Sequence, residues 1–149
     1  MRNQIMDAMK AAMKAKEATR LATIRLINAA IKDRDIAART EGQPDGVNDA
    51  EILAILSKMV KQRQESAKVY DEAGRIELAE AERAEITVIE EFLPKQLSDA
   101  EVEAAIKSAI TETGAESIRD MGKIMGILKS KYTGQMDFGK VGGMVKALL

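Results

Sequence analysis

Proline occurs only twice in this 149-residue chain, at positions 44 and 94. A proline removes a backbone donor and drives the residue before it out of the helical region. The stretches on either side carry no such interruption. They are filled with Ala, Glu, Lys, Ile, Leu and Met, while aromatic residues make up 3% of the chain. Those are strong helix formers, and their apolar members recur at the 3.6-residue helical period rather than in strand-like alternation. The expected fold class is all-α.

The period predicts a first helix over 3–16, with Ile5, Met6, Met9, Ala12 and Met13 on one face. A second is expected over 17–39, burying Leu21, Ile24, Ile27, Ala30 and Ile31. On another face of that helix Arg25, Lys32 and Arg39 recur every seven residues and form a basic line. Residues 40–48 read as a loop from their Gly, Pro and Asp content. Asn48 followed by Glu51 is a capping-box variant that opens a third helix. That helix directs Ile52, Leu53, Leu56, Met59, Val60, Ala67 and Tyr70 inward and ends at Gly74. Lys61, Arg63 and Glu65 on it read as an ion-paired surface rather than the lining of a cleft. A fourth helix over 75–92 is expected to bury Leu78, Ile86, Ile89 and Phe92 beneath a Glu-rich solvated face.

Pro94 marks the main boundary. Ser98 with Glu101 forms a second capping box, and the fifth helix that follows buries Val102, Ala105, Ile106 and Ile110, pairs Glu103 with Lys107, and stops at Gly114. A sixth helix over 120–131 and a seventh starting near Asp137 bury Met121, Ile124, Met125 and Leu128, then Val141, Met144, Val145 and Leu148. The expected architecture is an N-terminal four-helix bundle (1–93), a hinge (94–97) and a three-helix C-terminal domain (98–149).

Charge is segregated along the chain. Residues 1–40 hold nine Lys/Arg against four Asp/Glu, a net of +5; residues 41–116 have a net of −10; residues 117–149 hold six against two, a net of +4. Basic ends around an acidic middle decide which surface can meet a polyanion. Cysteine and histidine are both absent. Disulfides, a thiolate nucleophile, a histidine base and a His-dependent zinc site are thereby excluded. No metal, cofactor or catalytic set is expected, and a reducing cytosol fits. No apolar run approaches the roughly 20 residues of a membrane span, no secretory leader is expected at the N-terminus, and no membrane partner is expected.

Five glycines, at 122, 126, 139, 142 and 143, fall within the two last helices. Each costs a helix interior about 1 kcal/mol relative to alanine. Close helix–helix approach would justify them; so would close approach of a phosphate backbone to the nearby lysines, and the two can hold on different faces. Residues 134–141 nearly spell a phosphate-binding loop, but Val141 stands where the Ser/Thr hydroxyl is needed and no strand precedes it. Nucleotide binding is not expected there.

Several motifs in fixed order resemble the GatB/YqeY family, small proteins similar to the tail of the B subunit of tRNA-dependent amidotransferase. They are residues 13–16 (MKAK) leading to Leu21, Ile24 and Arg25, then 61–66 (KQRQES), Tyr70 and Ala73, Gly74 and Arg75. Further on come 93–98 (LPKQLS), 121–126 (MGKIMG), and Gly134 with Asp137 and Val141. The resemblance spans essentially the whole chain. It implies an all-helical two-domain fold and interaction with tRNA, with an amidotransferase or an aminoacyl-tRNA synthetase as protein partner. It also carries the family's label, a carbon–nitrogen ligase with glutamine as amido donor, although neither active region of the larger enzyme is present. Two positions depart from the family pattern: Gln135 stands where lysine is frequent, and Gly142 where asparagine is frequent.

The residues expected to face RNA are Lys123, Lys129, Lys131, Lys140 and Lys146 with Gly122 and Gly126, joined by Arg25 and Lys32. No catalytic residue is assigned. The alternative is a protein-interaction adaptor without RNA affinity, built on the Met-rich first helix and the glycine-bearing last two.

Overall fold

A computed structural model describes residues 1–149. It is helical, with no strand: α1 (Arg2–Lys14), α2 (Ala18–Thr40), α3 (Asp49–Glu72), α4 (Ile76–Glu90), α5 (Asp99–Thr113), α6 (Met121–Lys131) and α7 (Phe138–Leu148). A single 3-10 turn, Ile118–Asp120, leads into α6. The chain divides into two compact units, Met1–Leu93 and Pro94–Leu149.

Local chemistry explains most helix ends. Asn48 accepts from the Glu51 amide at 2.9 Å while the Glu51 carboxylate accepts from the Asn48 amide, so two orphan donors at the start of α3 are satisfied reciprocally. Ser98 and Glu101 repeat the device at α5. At the far end of α3, Gly74 takes a left-handed φ of +72°. This lets the Gly74 and Arg75 amides return to the carbonyls of Asp71 and Tyr70.

The first unit buries Ile5 and Ala12 of α1, Ile24, Ile27 and Ile31 of α2, Ile52, Leu56, Met59 and Val60 of α3, and Val88 and Ile89 of α4 in one apolar cluster closed by Phe92. The second buries Val102, Ala105, Ile106 and Ala109 of α5 against Ile124, Leu128, Val141 and Val145 of α6 and α7. Met136 in the α6–α7 connection joins that core. The connection is held by the Leu97 amide, which donates to the Gln135 carbonyl at 2.9 Å, and by the Gln96 side chain, which donates to the Gly134 carbonyl.

Six residues expected in the core lie outside it: Leu53 and Tyr70 of α3 are half-buried and belong to neither cluster, and four others are exposed. Met6 and Met13 are 43% and 50% exposed, Leu78 is 42% and Leu148 38%. A short helix packed on one side buries a narrow stripe. In α1 that stripe is Ile5, Ala8, Met9 and Ala12, and Met6 and Met13 each stand one residue beyond it. On α4 it is Ala79 rather than Leu78 that is enclosed.

The first unit also holds a polar knot that pattern reading does not reveal. Arg2 donates to both carboxylate oxygens of Asp35, at 2.9 and 2.7 Å, and to the Val47 carbonyl at 2.8 Å. The Val47 amide donates to Asp35 Oδ1 at 2.9 Å. One carboxylate thus ties the start of α1, the later half of α2 and the loop before α3. Hydrogen bonds from Arg2, then from the Val47 amide, lower the Asp35 carboxyl to about 2. Gly46 makes room for the knot: its φ is +86°, and a Cβ there would lie 2.4 Å from Asp35 Oδ1.

Two outcomes follow for this knot. Because the folded pKa lies below the unfolded one, the stabilisation is full above the ordinary carboxylate range and is lost as pH falls towards about 2. Asp35→Asn should remove about 1–2 kcal/mol at neutral pH and flatten the fall in stability below about pH 4, as read by urea titrations at stepped pH. Gly46→Ala should be destabilising at every pH, since it meets both the left-handed strain and the carboxylate. An unchanged urea midpoint for Gly46→Ala would remove the knot from the account.

Candidate nucleic-acid interface

Burial fixes how α6 and α7 are turned about their axes. Ile124 and Leu128 are fully enclosed on α6, and Val141 and Val145 are buried on α7. At about 100° per residue, this rotation leaves Gly122, Gly126 and Ser130 of α6 and Gly139 and Gly143 of α7 exposed to solvent. Asp137 begins α7 by accepting from the Gly139 amide at 3.0 Å, and the turn before α6 is tied by the Glu116 amide donating to Asp120 Oδ2 at 3.1 Å.

Gly122, Gly126 and Gly143 are not packing devices. A Cβ at Gly122, Gly126 or Gly143 would meet nothing within 4 Å, and one at Gly142 would meet only the Met121 methyl at 3.5 Å, an ordinary contact. Close helix approach, one of the two justifications open from the sequence, is overturned at 122, 126 and 143, whereas Gly142 does face the neighbouring helix, through the Met121 methyl.

The lysines surround these bare surfaces. Lys123, Lys129 and Lys146 are exposed and enter no ion pair. Lys131 reaches Glu112 of α5 at 3.1 Å, and Lys140 reaches Asp99 at 3.4 Å. Both pairs are solvent-exposed, and such pairs hold weakly. Between α5 and α6 runs an open groove of about 500 Å³ floored by Gly122, Gly126 and Ile127 and edged by Thr113, Lys123 and Lys131. Arg25 and Lys32 belong to the other unit. On α2 they are exposed and unpaired beside Arg39, so the expected set is divided between the two units.

One feature of this surface escaped the reading of the sequence. Residues 122–129 (GKIMGILK) and 139–146 (GKVGGMVK) form an internal repeat offset by seventeen positions. Each copy has glycines at its first and fifth positions, lysines at its second and eighth, and its fully buried residues at the third and seventh. At about 100° per residue the two lysines of a copy project about 120° apart, with the two glycines between them. The departures from the family pattern fall away from this face. Gln135 is half-buried in the α6–α7 connection, and Gly142 faces Met121, so an asparagine there would point inward rather than to solvent.

Arg63 pairs with Glu85 at 2.7 Å and also donates to the Met59 carbonyl, which makes it a strut between α3 and α4 rather than the wall of a site. No cluster of three or more acidic side chains is placed to hold a metal ion. No helix is long and apolar enough to cross a membrane.

A family model described as "Yqey-like protein" matches residues 2–149. Among curated proteins, the chain is similar to "Altered inheritance of mitochondria protein 41, mitochondrial" of Lachancea thermotolerans, with 31% identity over 70% of this chain and 54% of that protein. The protein of the same name from Meyerozyma guilliermondii is 31% identical over 85% of this chain and 65% of its own length. The chain thus spans less than two thirds of the length of these relatives. A third similar protein, "Uncharacterized protein C22F3.15" of Schizosaccharomyces pombe, is 33% identical over 34% of this chain.

The open surroundings of the glycines give a direct stability outcome. Gly122→Ala and Gly126→Ala should each raise stability by about 0.5–1 kcal/mol, because alanine stiffens the unfolded chain and displaces nothing in the folded one. Thermal unfolding followed by circular dichroism checks this. A lowered midpoint would mean that the glycines do serve packing.

Proposed function

The chain belongs to the YqeY-like family, and from that premise we propose that it is a tRNA-interacting helical protein, without chemistry of its own, whose contact runs through the lysines of α6 and α7. The observation that carries this reading is the combination of unpaired, exposed lysines with backbone left bare beside them. A lysine paired within the fold has little left to offer a phosphate; Lys123, Lys129 and Lys146 are uncommitted. The bare glycine surface lets a sugar–phosphate backbone come close to the helix, which a row of larger side chains would prevent. Lysine is a point charge on a flexible stem, so such contacts position RNA by its phosphates and read no bases.

Arg25 and Lys32 extend the cationic set on the first unit, and Lys131 and Lys140 join it by releasing weak surface pairs. The family's resemblance to the amidotransferase tail supports a tRNA-bound partner enzyme, an amidotransferase or an aminoacyl-tRNA synthetase, which would supply any ligase chemistry. Residence in the cytosol is part of the same proposal; the fungal relatives carry a mitochondrial designation in their own names. A second reading, a protein-interaction adaptor, is favoured by the exposed Met6 and Met13 on α1 and Leu26 and Ile36 on α2, since methionine-rich surfaces adapt to varied partners.

Titration of total tRNA onto the full chain at several salt concentrations separates the two. Neutralising about three phosphates should give a slope of roughly −2 to −3 in log K against log salt. The triple substitution Lys123→Ala/Lys129→Ala/Lys140→Ala should flatten that slope by half or more, leaving the part carried by Lys146 and the remaining cations. Absence of binding at low salt, or a salt-independent affinity, would leave only the adaptor.

A further inference from the structure

The duplication in α6 and α7 specifies more than a basic surface. The two copies of the repeat are presented by neighbouring helices of one unit, and each is turned by its own buried pair so that the same four positions face outward. Lys140 lies towards α5, where it meets Asp99, and Lys123 edges the groove shared with α5. The partners of these lysines within each copy, Lys129 and Lys146, project about 120° away at about 100° per residue. They therefore fall on the flank where α6 and α7 adjoin, beside the contact of Met121 with Gly142. Each helix thus offers a lysine on either side of a bare strip, and the two helices are neighbours in the unit.

The aromatic inventory points to the form of nucleic acid. Proteins that hold single strands stack the bases on exposed aromatic rings. This unit has only Tyr132 and Phe138, and both are partly buried against its core. Neither ring is fully exposed as a stacking platform. A surface of paired cationic lines without a stacking platform suits a double-stranded stem, which is recognised through its shape and backbone. A single line of charge would serve one strand; here the line is doubled.

From this we infer that the α6–α7 repeat is a two-part clamp for the backbones of double-stranded RNA, each copy of the repeat engaging one run of phosphates. The inference rests on the RNA reading above and narrows it to paired stems, with Lys129 and Lys146 as equivalent contacts and Gly126 and Gly143 as equivalent points of close approach.

The test uses the full chain and two labelled RNAs of equal length, a hairpin stem and an unpaired uridine oligomer, followed by fluorescence anisotropy across a salt series. The hairpin should bind at least about tenfold more tightly than the oligomer, because the oligomer finds no ring to stack on. Lys129→Ala and Lys146→Ala should each lower the hairpin's salt slope by about one, and the double variant by about two. Lys107→Ala, on α5 and paired with Glu103, should leave the slope unchanged. Gly126→Gln with Gly143→Gln should keep or raise the thermal midpoint, as both positions open on empty space, yet weaken the hairpin by about tenfold or more by blocking backbone approach. Equal affinity for the two RNAs, or slope losses confined to one of the two lysines, overturns the clamp and leaves RNA binding standing. Binding to neither RNA at low salt overturns both the clamp and the reading beneath it.

Discussion

Burial of two apolar residues four apart on each of α6 and α7 is the constraint from which the rest of the second unit follows. Ile124 with Leu128, and Val141 with Val145, are the positions that α5 can cover, and covering them leaves each helix no rotational freedom. Every other position on those helices is then assigned to a flank or to solvent. Lysines and glycines reach the outer face because of that assignment; Lys123, Lys129 and Lys146 have no ion pair to hold them there, and those of Lys131 and Lys140 are solvent-exposed. The unit pays for this: an exposed glycine within a helix costs about 1 kcal/mol, and small domains hold a margin of only about 5–15 kcal/mol. A sequence under pressure for stability alone would carry alanine at 122, 126 and 143, where nothing excludes it.

The first unit is organised on different terms. Its helices are longer, its core larger, and its topology is pinned by polar groups placed far apart in sequence. Asp35 is the clearest instance, since a single carboxylate satisfies a guanidinium and a loop amide and is in turn held by both. Arg63 with Glu85 ties α3 to α4, and Arg83 with Asp71 does the same nearer the turn between them. The acidic residues left over on α4, among them Glu77, Glu80 and Glu90, face solvent. Their field repels a polyanion from that helix, while the unpaired cations of α2 and of the second unit attract it. Segregation of charge along the sequence therefore persists as segregation over surfaces.

What the sequence made legible was what depends on near neighbours. The capping boxes at Asn48 and Ser98, the left-handed glycines at 74 and 114, and the Glu103–Lys107 pair each involve residues within a few positions of one another, and all are present. What escaped depends on partners distant in the chain. Periodicity places Met6 and Met13 on the apolar side of α1, but only the position of the packing helix decides how wide a stripe is covered. The Arg2–Asp35–Val47 knot has no local signature. The purpose of the glycines also lay beyond pattern, since a bare helix surface reads the same in sequence whether a second helix or open solvent lies against it. The repeat of 122–129 in 139–146 was available in the letters alone, but it is obscured by Gly142, which replaces the long side chain of Met125.

That replacement also bears on how the two copies differ. Met125 is partly buried in the core of its unit, whereas Gly142 lies in the corresponding position on α7 and receives the methyl of Met121. The inner halves of the two helices have thus diverged to fit each other, one filling space that the other vacates. Their outer halves have not: lysine, glycine, glycine and lysine stand at the same positions in both. Packing demands complementarity between facing surfaces and so drives the inner residues apart. Packing acts little on these outer residues: Gly122, Gly126 and Gly143 open on empty space, and Lys140 makes only a solvent-exposed pair with Asp99. On the clamp proposed above, their sameness in the two copies matches a ligand that presents the same chemistry twice, as a duplex does with its two equivalent phosphate backbones.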